Sequence, residues 1–411
     1  MSSISKGRMA FLIALPVLLL FARAVADGTV LLTGLAFVWL SWRRADWQWL
    51  QQPWVRAGLA LWLLLLMLTA LAPDPARSFI YAAFFGRWIL FAAALQCWLL
   101  ADLPARRLVQ ASLIGVLAFV LFDSFWQYFT GFNVWGDAKF TSVRLTGPFG
   151  DPSPGVLCIK VLFIAAAGIY ALQAGKGFWQ QFIVLLATLN LGLLFIFATG
   201  ERMPFMMYGL GMVVVLVALM LAHKGRRLLM TSVFLLASGL IVFTAYQQKA
   251  TWHRTVVTTV DTLANFWQTP YGQVIESGYQ VWLDRPLLGH GIHTYKKACN
   301  ALKEQGGVAH CFHHPHNIYL HWLVEAGIIG LAGFLVLLGL LLRASCNHLW
   351  AQRRWMPLGF VWATYLATFW PIAASPGMFN NWMAGLIWFG IGWSLAVNQD
   401  AGRLGPDHHV I

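Results

Sequence analysis

Apolar stretches long enough to cross a bilayer recur along nearly the whole chain, and no other feature limits the fold so tightly. They fall at roughly residues 9–24, 30–42, 57–72, 78–100, 109–129, 153–172, 178–197, 204–222, 228–246, 317–343, 355–371 and 382–397. A hydrocarbon core of ~30 Å takes about 20 helical residues to span. Lipid tolerates no unpaired backbone N–H or C=O, so each stretch has to be a helix. With 59% hydrophobic and only 10% charged residues among 411, a water-soluble globule is excluded. The expectation is an all-α polytopic membrane protein of about twelve transmembrane helices: nine over 1–246, a long helical loop over 247–315, three over 316–398, and a tail over 399–411. Residues 1–24, with Lys6 and Arg8 ahead of an apolar run and "ARAVADG" behind it, also fit a signal peptide.

Orientation follows from the Lys and Arg in the connections. Lys6, Arg8, Arg43, Arg44, Arg56, Arg106, Arg107, Lys176, the "HKGRR" of 223–227, Arg343, Arg353, Arg354 and Arg403 fall on one side, which is therefore expected to be cytoplasmic, with both termini. On the sparser opposite side Arg144 in "SVRLTGPFGDPSP" and Arg202 in "TGERMPF" stand out, either as interfacial snorkels or as functional charges. The formal net charge of +13 does not point to nucleic acid, because cytoplasmic positions account for about half of the Lys and Arg. The 22 tryptophans suit belts at the lipid interface, as in "ADWQWLQQPW". Lys160 sits inside the sixth span, where an unpaired charge is expensive; it either snorkels, pairs with Asp151, or serves function.

The segment 247–315 carries apolar residues at helical spacing in "TTVDTLANFW" and "GQVIESGYQVWLDRP", followed by glycine turns in "LLGHGIHTY". It is too short to support a core of its own and should lie against the membrane bundle as a lid. Of the five cysteines, Cys97, Cys158 and Cys346 belong to spans. Cys299 and Cys311 fall in the lid, on the side where oxidation is possible, and are expected to pair. Such a bridge would restrain the histidines that follow.

Those histidines open "HHPHNIYLHW". His310, Cys311, His313, His314 and His316 offer zinc donors, but Pro315 interrupts the set and no H-E-x-x-H or D-x-D motif is present, so no metal site is assigned. Local electrostatics gives another reading. Pro315 favours the first position of a helix, which would put His316 and Asn317 at the start of the span to Arg343, beside free N–H groups that attract phosphate. A histidine there stays neutral and able to accept a proton. His321 and Glu325, one turn apart, are expected to pair structurally. Gly327 and Gly330 would permit a close helix crossing.

"HNIYLHWLVEAGIIG", with "RPLLGHGIHTY" before it, resembles the signature of the O-antigen ligase and polymerase superfamily. About twelve spans, a long loop ahead of the signature and isolated arginines on the loop side extend the resemblance, and the length is most similar to that of the ligases. The resemblance implies a GT-C-like glycosyltransferase of the bacterial inner membrane with a periplasmic site. It implies transfer of a finished O-antigen from undecaprenyl pyrophosphate to a sugar hydroxyl of lipid A-core, with no cofactor and no metal. It implies His316 as general base and Arg144 and Arg202 as a pyrophosphate clamp. Arg254 and Arg285 compete for a further arginine near the site, Lys160 is a substrate-binding candidate, His313 and His314 are supporting groups, and Asn317 orients the base. A polymerase or a protein O-oligosaccharyltransferase would use the same donor. A lipid-linked glycan transporter would instead spread its polar groups through the midplane.

Overall fold

The computed structural model describes residues 5–371, 373 and 381–403. Nine helices come first: α1 (Lys6–Phe21), α2 (Arg23–Arg44), α3 (Pro53–Thr69), α4 (Pro75–Ala94), α5 (Leu103–Thr130), α6 (Pro154–Ala171), α7 (Phe178–Ala198), α8 (Arg202–Ala222) and α9 (Arg227–Gln247). The lid follows as α10 (Lys249–Trp252), α11 (Thr258–Ala264), α12 (Pro270–Asp284) and α13 (Tyr295–Glu304). The chain then re-enters the bundle through α14 (Ile318–Ala351), α15 (Trp355–Phe369) and α16 (Asn381–Arg403). The fold is an all-α polytopic membrane protein. Among the described residues eight helices are long and apolar enough to cross a membrane, namely α2, α4 to α9 and α14. The other four expected spans fall on α1, α3, α15 and α16.

Two boundaries differ from the expectation. "RAVADGT" is not a connection; the chain turns at Ala22 alone, and α2 begins at Arg23. The charges in its first turns have partners, Arg23 with Asp151 and Asp27 with Arg87 of α4 at 2.7 Å, so helix is affordable there. At the other end α16 runs through Asp400, which pairs with the buried Arg106, to Arg403. The rest of the expected tail, 404–411, lies outside the described residues.

Polar contacts sort the connections onto two ends. At one, Arg8 reaches Asp102 at 2.7 Å and Gln352 donates to Ala401 O. At the other, the lid is fastened to the start of α4: Ile292 N–H donates to Ser78 Oγ at 2.8 Å, and Lys297 pairs with Asp74 at 2.8 Å. The lid has a small core of Val281, Tyr295, Cys299 and Val308, which Leu320 and Val324 of α14 join. Cys299 and Cys311 form a disulfide that ties α13 to the segment leading into the histidines.

α14 is broken at Gly327, where φ 67° and ψ −171° leave the helical region. Gly327 thus breaks the helix and does not serve a crossing of two intact helices. The backbone of "PLLGHG" fills the gap: Ile328 N–H donates to Pro286 O at 2.9 Å, and Gly291 N–H to Glu325 O at 2.9 Å. Groups freed by the break are thereby satisfied, as a low-dielectric site requires. The Glu325 carboxylate accepts from His293 N–H at 2.8 Å and pairs with His321 at 3.0 Å, so that pair locks the lid to α14. A Cβ at Gly327 would lie 2.1 Å from Leu287 O, on a backbone that disfavours any side chain. Gly327→Ala is therefore expected to cost about 3 kcal/mol or more and to lower the melting midpoint in detergent. Gly339→Ala, where a Cβ meets nothing within 4 Å, should leave the midpoint nearly unchanged.

Candidate active site

The turn between α7 and α8 organises the site. Its Gly200 has φ 69°, and a Cβ there would meet Val143 O at 2.0 Å, so only glycine lets the turn press against the 143–145 segment. Leu145 N–H donates to Thr199 O at 3.3 Å, which fixes Arg144 beside the turn. Arg254, in the π-helical turn after α10, donates from Nε to Gly200 O at 2.9 Å. Arg202 follows as the first residue of α8. Three arginines from distant parts of the chain thus converge, close enough that Arg144 and Arg202 both act electrostatically on Arg254. Burial, then those two charges, hold the Arg254 guanidinium below its ordinary pKa.

Arg202 faces a cavity of about 420 Å³ between α8, the lid and the start of α14. One Nη donates to Thr262 Oγ1 at 2.9 Å, and the guanidinium lies 5.3 Å from the Tyr271 ring centroid. The same tyrosine meets His316 edge-on at 6.3 Å, so Tyr271 stands between the arginine and the histidine. His316 and Asn317 line the cavity as well, while Met203, Met206, Leu263, Phe266 and Ile275 make most of its wall apolar. The space therefore suits an amphiphile with a charged head.

The helix start differs from the expectation. α14 begins at Ile318, with Asn317 as its N-cap: Asn317 Oδ1 accepts from Tyr319 N–H at 3.0 Å and Leu320 N–H at 3.1 Å. Asparagine is a preferred cap because its side chain replaces the missing backbone acceptors, and Pro315 lies too early to be the first helical residue. His316 consequently sits just outside the helix with φ 52°, a left-handed conformation uncommon for a residue with a Cβ. Asn317 also donates to Pro371 O at 2.6 Å, which fixes the backbone that presents His316. Burial holds the His316 pKa below the ordinary 6.5. His314 lies ring to ring with it at 4.0 Å and is pushed down to about 3 by burial and then by His316, so both are neutral at neutral pH.

Among the other sequence candidates, Arg144 donates to Pro152 O at 2.8 Å and has a buried Nε with no hydrogen-bond partner among the described residues. Lys160 is buried in α6 and donates to Ala367 O at 3.0 Å; it neither snorkels nor pairs with Asp151, whose partner is Arg23. Arg285 lines a separate cavity of about 220 Å³ with Asp74, Asp284, His290 and Lys297, so of the two competing arginines Arg254 joins the cluster. His313 is exposed on the same turn as His314. Among the described residues no group of three or more His, Cys, Asp or Glu is placed to hold a metal, and Cys311 is taken by its disulfide.

Sequence reading passed over Tyr271 and Glu201. Tyr271 gave no signal beyond its place after a helix-starting proline. Glu201, adjacent to Arg202 in "TGER", is buried, and burial raises its carboxyl to about 7 despite hydrogen bonds from Gly155 and Val156 and the nearby Arg144 and Arg254.

Comparison with curated proteins finds no match. A family model described as O-antigen ligase matches residues 183–335, a stretch from α7 into α14 that contains Arg202, Arg254, Tyr271 and His316. The match falls in the segment that builds the cavity and supports the O-antigen ligase/polymerase superfamily, a group of glycosyltransferase-like membrane enzymes.

Proposed function

We propose that the protein is the ligase of this superfamily, transferring a finished O-antigen from undecaprenyl pyrophosphate to a sugar hydroxyl of lipid A-core at the periplasmic face of the inner membrane. The observation that carries the reading is one mainly apolar cavity faced by both Arg202 and a neutral His316. The apolar wall takes the first isoprene units. The guanidinium fork of Arg202 binds the pyrophosphate oxygens, with Arg144 and Arg254 adding positive charge beside it.

The acceptor hydroxyl attacks the anomeric carbon from the face opposite the pyrophosphate. Its proton passes to the free ring nitrogen of His316 as the new C–O bond forms. The bond from the anomeric carbon to the pyrophosphate oxygen breaks, its electron pair stays on the leaving group, and the product has inverted configuration. The arginines meet the charge that develops there, and Tyr271 and Thr262 hold Arg202 in place before the reaction starts. Asn317 positions the base through the backbone.

Purified protein given undecaprenyl-pyrophosphate glycan and lipid A-core in EDTA is expected to form glycosylated lipid A-core. Loss of product on chelation would remove the metal-free mechanism. Lengthening of the glycan on its lipid carrier, with lipid A-core left untouched, would identify a polymerase.

A further inference from the structure

The turn that carries Arg202 also carries a carboxylate with an unusual seat. Glu201 is 4% exposed, and its two oxygens accept the first free N–H groups of α6, from Gly155 at 2.8 Å and Val156 at 2.9 Å. A helix N-terminus is a natural anion site, and here the protein's own carboxylate fills it. The fit is close: a Cβ on Gly155 would lie 3.2 Å from the carboxylate carbon and 2.9 Å from Thr199 Oγ1. Arg144 from the 131–153 loop and Arg254 from the lid face the carboxylate, Arg202 is its chain neighbour, and the Cys158 thiol of α6 also feels its charge.

With Glu201 ionised, the three guanidinium groups and one carboxylate leave the cluster with two net positive charges. In the reaction proposed above, the donor is a pyrophosphate esterified at both ends and carries two negative charges. Transfer changes that. The glycan leaves, the electron pair of the broken C–O bond remains on the terminal phosphate, and that phosphate gains a second ionisable oxygen with a pKa of about 6. The spent lipid therefore carries nearly one more negative charge than the donor at neutral pH. A site with three uncompensated arginines would hold it harder than the substrate.

Resting on that reading of the reaction, we propose that Glu201 is a positioning and charge-balancing residue that matches the arginine cluster to the doubly charged donor and lets the more highly charged lipid pyrophosphate leave. The carboxylate pins the start of α6 against the turn of Arg202 and cancels one of the three like charges. Burial pushes its carboxyl up to about 7, so the cancellation grows as pH rises above that value and fades as pH falls through it. His316, held below the ordinary imidazole value, gains its charge lower in the range.

The test uses full-length protein in detergent and two probes, undecaprenyl pyrophosphate and undecaprenyl-pyrophosphoryl oligosaccharide, bound to wild type and Glu201→Gln between pH 6 and 8. At pH 8 the variant is expected to prefer the spent lipid over the donor about tenfold more than wild type does. Its kcat should fall more than its KM changes, with stronger product inhibition. The difference between the two proteins should vanish towards pH 6, where the wild-type carboxyl is itself neutral. A purely structural role weakens both ligands together and leaves their ratio and its pH dependence unchanged, which overturns the proposal. Should the variant fail to fold, the wild type still decides. The donor's charge is constant across this range, so its affinity must tighten as pH falls through about 7, and a flat profile overturns the charge-balancing role. Wild-type transfer and donor binding would then leave the proposed reaction standing, whereas wild type that binds neither lipid overturns both.

Discussion

Arg202→Ala is expected to lower transfer at least about a hundredfold, equivalent to the ~3 kcal/mol lost when a donor aimed at developing charge is removed from a water-poor site. The loss should appear in kcat, because the extra charge on the pyrophosphate oxygen arises only as the glycosidic bond breaks. KM for the donor should rise as well, since the ground-state pyrophosphate is already anionic. Arg202→Lys is expected to recover only a fraction of the rate: an ammonium restores the charge but not the fork. Arg202 lies at the cavity edge and tethers α11 through Thr262, so membrane levels should hold in the alanine variant. Normal levels together with normal transfer would remove Arg202 from the mechanism.

His316→Asn carries the second large effect. Asparagine is the sharper replacement than glutamine, because it accepts the left-handed backbone at this position while offering no base. Turnover should fall about 10²–10⁴-fold, the usual worth of a positioned base. Donor affinity should change little, since in the proposed reaction the arginines hold the pyrophosphate. A variant that lost donor binding in step with turnover would make His316 a binding group. The pH profile supplies the sign. A base works in its neutral form, and burial lowers the His316 pKa below 6.5, so in Glu201→Gln, where position 201 no longer titrates, the single-turnover rate of transfer should persist as pH drops through 6.5 and fail only below it. A single-turnover rate that halves at or above 6.5 in that variant would contradict the half-buried, neutral base.

Much of this was legible residue by residue. The twelve apolar stretches lie on helices because bilayer thickness and the demand for paired backbone groups leave no other solution for such a run. Arg202 and His316 stood out as a charge and an imidazole next to helices that otherwise read as lipid-facing, and the cavity brings them together. Other assignments failed for identifiable reasons. Pro315 and Asn317 both signal a helix start, and spacing does not say which signal prevails. Asn317 does, because two backbone N–H groups find its side chain, while Pro315 packs against α12 at Gly278. "RAVADGT" read as a connection until Asp151 and Arg87 supplied partners for its charges.

Hydropathy and charge along one chain suffice for the membrane setting, the approximate spans, the lid and the residue types able to do the chemistry, since each depends on local composition and on solvent. The convergence of Arg144, Arg202 and Arg254, the seat of Glu201 at α6 and the insertion of "PLLGHG" into a broken α14 depend on segments up to about a hundred residues or more apart. Those contacts are decided by backbone groups that meet only when the helices pack, and a helix period carries no record of which distant carbonyl or guanidinium will arrive. That is why Arg285 and Arg254 looked equivalent as letters, and why only the turn at Gly200, with room for no side chain, set them apart.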